Sequence, residues 1–204
     1  MEIENGSGII EKRAGEDMKH NRCKWAQQVP EIYERYHDEE WGKPQHEDAH
    51  LFEMLILEGF QAGLSWLTIL KKREAFRKAF ENFDVKKIAA YTQDTIEELM
   101  SNADIVRNRR KIEASILNAQ AFIEIQKEYG SFDVYLWGYT NHQVVYDNED
   151  PIPVSSPLSD EISKDLKKRG MKFVGTTIIY AYLQAVGVVN AHDSGCFLYK
   201  CKEE

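Results

Sequence analysis

The stretch Ile96–Ile112, IEELMSNADIVRNRRKI, decides the fold. Ile96, Leu99 and Met100 recur at helical spacing, Asn102–Asp104 is a tight turn, and a basic run opens a second helix. That helix continues with Ile112, Ile116, Ala119 and Ile123 at i, i+4, i+7 and i+11, a single apolar stripe. Asp94, with Glu97 three residues on, reads as a capping box ahead of the first helix. The two helices form an αα-hairpin over about 94–127. Any hairpin with a basic start looks this way, so the pattern alone names no ligand.

Outward from the hairpin the helical period persists. Pro30 suits the first position of a short helix holding Ile32, Tyr33 and Tyr36. Glu47–Gly59 presents Leu51, Met54, Leu55 and Leu57, and Leu64–Phe80 presents Leu67, Leu70 and Phe76. Asp84 caps a short helix with Val85, Ile88 and Ala89. Ser159 caps another that ends at Gly170, and Phe173–Val186 is so apolar that it must be buried. Tyr139–Pro157, with three of the five prolines, is the main irregular connection, with a short extended piece at Gln143–Tyr146. No alternating segment is long enough for a sheet, so the fold class is all-α.

The 204 residues are 43% apolar and 11% aromatic, enough to bury a core and to exclude global disorder. Residues 1–19 read as a flexible N-terminal tail, and 20–204 as a single domain. The longest apolar run, Phe173–Ala191, is interrupted by Gly175, Gln184 and Gly187, which excludes a membrane span there. No basic and apolar leader opens the chain. Three cysteines make no disulfide framework. These features point to a cytoplasmic protein that meets no membrane.

The net charge of −8 argues against a polyanionic partner, but the basic residues are clustered. Lys71–Lys78, Arg107–Lys111 and Lys164–Lys172 together carry +12 on 22 residues, leaving −20 on the other 182. A molecule so divided can meet a phosphate backbone through one face, or the runs are ordinary solvated helix faces.

Two side-chain sets invite chemistry. Cys23 and His37 stand 14 positions apart near one end of the chain, and His192 and Cys196 stand four apart near the other. On a helix the latter pair would share a face. Two thiolates and two imidazoles suit tetrahedral zinc, and four protein ligands leave it no open position, so such an ion is structural. The spacing matches no finger template, so the alternative is buried cysteines and unrelated histidines. The second set is Trp25, Tyr33, Tyr36, Trp41 and Trp66, with Glu58 inside the apolar stretch MLILEGF. That carboxylate either points to solvent or is held beside aromatic rings, where it would suit a flat, cationic or electron-poor ring.

Longer strings carry a resemblance that covers about Arg22 to Cys196. They are RCKW from Arg22, YHDEEWG from Tyr36, LFEMLILEGFQAGLSW from Leu51, KKRGMKFVGTT from Lys167, and VNAH from Val189 with Cys196. In these the chain resembles the DNA-3-methyladenine glycosylase I family of the helix-hairpin-helix DNA glycosylase superfamily. The resemblance implies that superfamily's all-α fold, with one structural Zn2+ per chain on Cys23, His37, His192 and Cys196 joining the two chain ends. It implies a base pocket of Glu58, Tyr36 and Trp66 walled by Trp25, Tyr33 and Trp41. Gln61, Gly63 and Leu64 fall on the segment that wedges into the duplex. The turn from Asn102 through Ala103 and Asp104 to Arg107 falls on the DNA-binding hairpin, with Arg109 and Lys111 beside it.

Two departures accompany it: Asp104 stands where the hairpin has a glycine, and one extra residue lies between Cys23 and His37, near Glu31. Related glycosylases also set an aspartate after the hairpin, whereas Arg110–Gln126 offers only Glu113 and Glu124. The resemblance implies a monomeric, monofunctional enzyme that extrudes 3-methyladenine from double-stranded alkylated DNA and leaves an abasic site, Glu58 recognising the base first and acting in catalysis second. The competing readings are a relative specific for another damaged base and a zinc-stapled DNA-binding module without catalysis.

Overall fold

The computed structural model describes residues 21–147, 149 and 151–200, so the expected tail at 1–19 lies outside the described residues. Among the described residues the elements are α1 (Glu31–Glu39), α2 (Asp48–Gln61), α3 (Trp66–Ala79), α4 (Val85–Ala89), α5 (Gln93–Ser101), α6 (Arg109–Tyr129), α7 (Phe132–Gly138), β1 (Val145–Tyr146), α8 (Pro157–Lys168), α9 (Thr176–Ala185) and β2 (Val189–Asn190). Short 3-10 turns add Lys24–Ala26 and Glu81–Phe83. No helix of the described residues is long and apolar enough to cross a membrane.

The fold is all-α, and α2 is its axis. Every residue from Leu51 to Phe60 is buried, two acids included, so this helix is covered on all sides. It packs against α3, α6, α7 and α9. Phe52 meets Phe122 of α6 at 5.0 Å between ring centroids, and Phe60 meets Phe76 of α3 at 4.7 Å. Burying each such ring contributes roughly 1.5–3 kcal/mol, which fixes α2 as the platform for whatever it carries.

Helix starts differ in three places from the sequence reading. Thr92, not Asp94, caps α5, and Glu97 turns instead to Arg109 at 2.6 Å. Ser156, not Ser159, caps α8; Ser159 is the reciprocal partner three residues on and is fully buried. Pro30 sits at the cap of α1, one position before the first helical residue. In the first two cases two good cap formers lie within three residues, and propensity alone does not choose between them. Asp84 caps α4 as expected.

After α3 the chain reverses through Glu81, Asn82 and Phe83, all with φ between 50° and 57°. Phe83 is 1% exposed against Phe80, so core burial overrides a backbone region that L-residues avoid. β1 and β2 pair in parallel, Val145 with Val189 and Tyr146 with Asn190. This small pairing anchors the C-terminal segment just before His192.

Candidate active site and metal centre

The four expected metal ligands converge. Cys23 precedes the first 3-10 turn, His37 lies in the last turn of α1, and His192 and Cys196 follow β2. Their ligand atoms all lie within 4.8 Å of one another, and all four residues are buried. Cys23 Sγ stands 3.3 Å from His192 Nδ1, and Cys196 Sγ stands 3.5 Å from His37 Nε2 and 3.6 Å from His192 Nδ1. Bonds of about 2.0–2.3 Å at tetrahedral angles set ligand atoms about 3.3–3.8 Å apart, so these side chains are spaced to hold a metal ion. The expected helical pairing of His192 with Cys196 is corrected: they meet through a turn, closed by Cys196 N donating to Asp193 O at 2.8 Å.

The surroundings fix the ligands. Asp193 N donates to Cys23 Sγ and Leu198 N to Cys196 Sγ, bonds that favour anionic sulfur. His37 turns Nδ1 to Asp38 at 2.8 Å, and Arg22 grips Asp38 through a fork, which leaves Nε2 facing the sulfurs. A Cβ on Gly42 would stand 2.8 Å from His192 Nε2, so only glycine lets that ring lie there. Burial lowers both imidazoles and raises the Cys23 thiol. The imidazoles are thus neutral and ready to ligate, and the Cys23 thiolate is costly until a cation compensates it.

Beside this quartet lies a pocket of about 170 Å3, room for one flat ring system. α1 supplies Tyr33 and Tyr36, the start of α3 supplies Trp66, and α2 supplies Glu58 and Gln61. Trp25 and Trp41 complete the wall and also pack edge-on against the ligand histidines, at 5.2 Å to His37 and 4.7 Å to His192. Tyr36 and Trp66 stand 5.4 Å apart between ring centroids at 51°, in tilted contact with each other. The structure therefore brings together all six residues of the expected pocket.

Its electrostatics are unusual. Four buried side-chain polar atoms among the described residues have no hydrogen-bond partner, and three of them line this pocket: Glu58 Oε2, Trp66 Nε1 and Gln184 Nε2. Leaving such groups unpaired costs about 1–3 kcal/mol each. Burial pushes the Glu58 carboxyl up to about 8. The cavity thus offers one acceptor able to ionise and two donors, framed by aromatic faces. A larger open groove between α3 and α5, about 650 Å3, has no such frame. Gln184, Ala181 and Ile152 were missed by the sequence reading. Gln184 is an amide inside the apolar run of α9, the same signal that singled out Glu58.

The remaining expected residues lie on two adjoining loops. Gln61 ends α2, Gly63 turns with φ 79° into open space, and Leu64 is held outward at 41% exposure. In the hairpin, Asn102 accepts from Asp104 N, and Lys72 of α3 donates to the carbonyls of Ala103 and Asp104 at 3.3 and 2.9 Å. Asp104 has no positive φ, so its position makes no demand for glycine. Ala103, Asp104, Arg107 and Arg110 are exposed. Arg109 is engaged with Glu97. Lys111 departs from the expectation of a phosphate contact, because it points inward at 7% exposure. The basic runs are partly neutralised too: Arg73 is buried against Glu53 and Glu40, Arg77 pairs with Glu53 and Glu74, and Arg169 with Glu128 and Asp165. Glu113 and Glu124 are both exposed on α6, and Glu124 pairs with Lys127.

A family model described as methyladenine glycosylase matches residues 25–199. The chain is 48% identical over 181 residues to DNA-3-methyladenine glycosylase 1 of Escherichia coli strain K12, covering 87% of this chain and 96% of that protein. A crystal structure of 3-methyladenine DNA glycosylase I superposes with a TM-score of 0.84 at 47% identity, covering 88% of this chain and all of that one. A variant of 3-methyladenine DNA glycosylase I in complex with 3-methyladenine superposes at 0.83 with 38% identity, covering 87% and 96%.

Proposed function

This chain belongs to the methyladenine glycosylase family, and on that premise we propose that it hydrolyses the N-glycosidic bond of 3-methyladenine in alkylated double-stranded DNA, releasing the base and leaving an abasic site. The observation that carries the reading is the aromatic pocket in which Glu58 Oε2, Trp66 Nε1 and Gln184 Nε2 have no partner among the described residues. A purine edge supplies the amine hydrogens and ring nitrogens that would satisfy them.

Methylation at N3 leaves the purine positively charged, which makes it a good leaving group. The protein's task is to extrude the nucleotide, at a cost of a few kcal/mol of unstacking, and to hold it where water reaches C1′. Tyr36 and Trp66 stack on or contact the cationic ring. Glu58 accepts from the exocyclic amine side, and its ionised form is favoured once the cation enters. The glycosidic bond breaks with its electron pair passing to the base, which leaves neutral. The water oxygen bonds to C1′ and its proton returns to solvent. Leu64 fills the gap in the duplex, and Arg107 with the hairpin amides holds phosphates.

Cys23, His37, His192 and Cys196 hold one Zn2+, whose two positive charges the two thiolates cancel. That ion supplies no reaction chemistry; it staples the chain ends beside the pocket wall. The reading carries a monomeric cytoplasmic enzyme. Its test is incubation of the purified protein with alkylated duplex, separating the released purines. Release of 3-methyladenine with an equal number of abasic sites is expected, and release of none, or of other alkylated purines only, overturns it.

A further inference from the structure

Lys111 stands in the first turn of α6, and its side chain runs inward rather than toward the hairpin surface. Its ammonium donates to Phe60 O at 2.7 Å and to Ala62 O at 2.6 Å. Among the described residues no carboxylate pairs with it, and the Phe173 ring lies 5.9 Å away. A helix leaves its last carbonyls without partners of its own, and that end of the helix dipole favours a cation. Lys111 answers both needs for α2. A lysine can serve two carbonyls at once because its ammonium carries three donors on a flexible stem.

The two carbonyls it holds bracket Gln61 and precede the turn that carries Leu64. Glu58 lies less than one turn back along α2. We propose that Lys111 is a positioning residue that locks the Gln61–Leu64 turn and the Glu58 end of α2 to the first turn of α6, so that the hairpin's grip on duplex sets the pocket against the extruded nucleotide. This rests on the proposed function in that both loops face duplex DNA. Burial of the ammonium excludes a phosphate contact, and it lowers the affinity of Lys111 for its proton by desolvation.

Three readings on the purified full chain carrying Lys111→Met test it. Affinity for free 3-methyladenine, followed by tryptophan quenching, stays within about twofold of wild type. The slope of log duplex affinity against log salt is unchanged, where loss of one phosphate contact would lower it by about 0.9. Single-turnover excision at saturating duplex falls at least about tenfold. Wild-type excision, or a lowered salt slope, overturns the proposal. If Lys111→Met does not fold, Lys111→Arg keeps the charge and two donors, but its wide planar group displaces the turn. Excision several-fold below wild type, with unchanged free-base affinity and salt slope, is then expected; wild-type values throughout, or a lowered slope, overturn the proposal. A wild-type chain that releases no 3-methyladenine defeats the proposed function instead, while the salt slope still tells a clamp from a phosphate contact.

Discussion

His37 Nε2 stands 3.5 Å from Cys196 Sγ although 159 residues separate them in sequence. Both are buried beside a second thiol and a second imidazole, a set that could hold a metal ion. Elemental analysis is expected to find about one zinc per chain. Cys23→Ser is expected to lose it and to lower the melting temperature by at least about 5 °C, since each kcal/mol is about 2–4 °C in a chain of this size. A metal-free wild type, or an unchanged melting temperature in the variant, contradicts this.

A second expectation concerns the pairing of α2 with α3. Arg73, 6% exposed, donates to Glu53 and Glu40, each at 2.6 Å, and this holds the Glu58 helix against the helix that starts with Trp66. Arg73→Met leaves the buried Glu53 carboxylate with Arg77 alone and is expected to cost about 1.5–3 kcal/mol in denaturant unfolding. Adding Glu53→Met is expected to recover most of that loss. A single variant as stable as wild type would show that the pair does not hold these helices.

What the sequence made legible, and what it hid, divides along physical lines. Helix period and burial of α2 are local properties, so the all-α fold and the odd position of Glu58 are readable from apolar spacing. The quartet is readable as residue types only, because its convergence depends on long-range packing; even the His192–Cys196 pair closes by a turn and not by a helix. Charge runs were the least legible. Lys71–Lys78 and Arg107–Lys111 read as continuous positive faces, yet Arg73 and Lys111 turn inward to partners 20 and about 50 positions away. Gln184 was hidden for a different reason: an amide in an apolar helix reads as an interruption until the facing cavity is seen.

Arg107 is exposed at the hairpin turn. Arg107→Glu is expected to weaken duplex binding alike for all sequences and to lower the log–log salt slope by about one. Free 3-methyladenine affinity is expected to stay unchanged. Equal duplex binding in wild type and variant across salt concentrations would remove Arg107 from the interface.

Glu58 makes ligand-free stability depend on pH. Burial raises this acid to about 8 from its ordinary 4.5, so folding disfavours its charged form. The cost is absent below about pH 4.5, grows as pH rises, and is complete above about pH 8. Glu58→Gln, which cannot ionise, is therefore expected to melt like wild type near pH 5 and above it near pH 9. An offset between the two proteins that does not change with pH would mean that the carboxyl is solvated.

The most direct test of the account is Glu58→Ala, measured for free 3-methyladenine affinity and for excision from alkylated duplex. The variant is expected to fold and keep its metal, because among the described residues Glu58 Oε2 has no hydrogen-bond partner to lose. Affinity for the free base is expected to fall by about 1–3 kcal/mol, the worth of a hydrogen bond to a charged group, with Glu58→Gln intermediate. Excision is expected to fall as well, by less than binding, since the sugar bond of the methylated purine is intrinsically labile. Wild-type values for Glu58→Ala in both measurements would contradict the pocket assigned here.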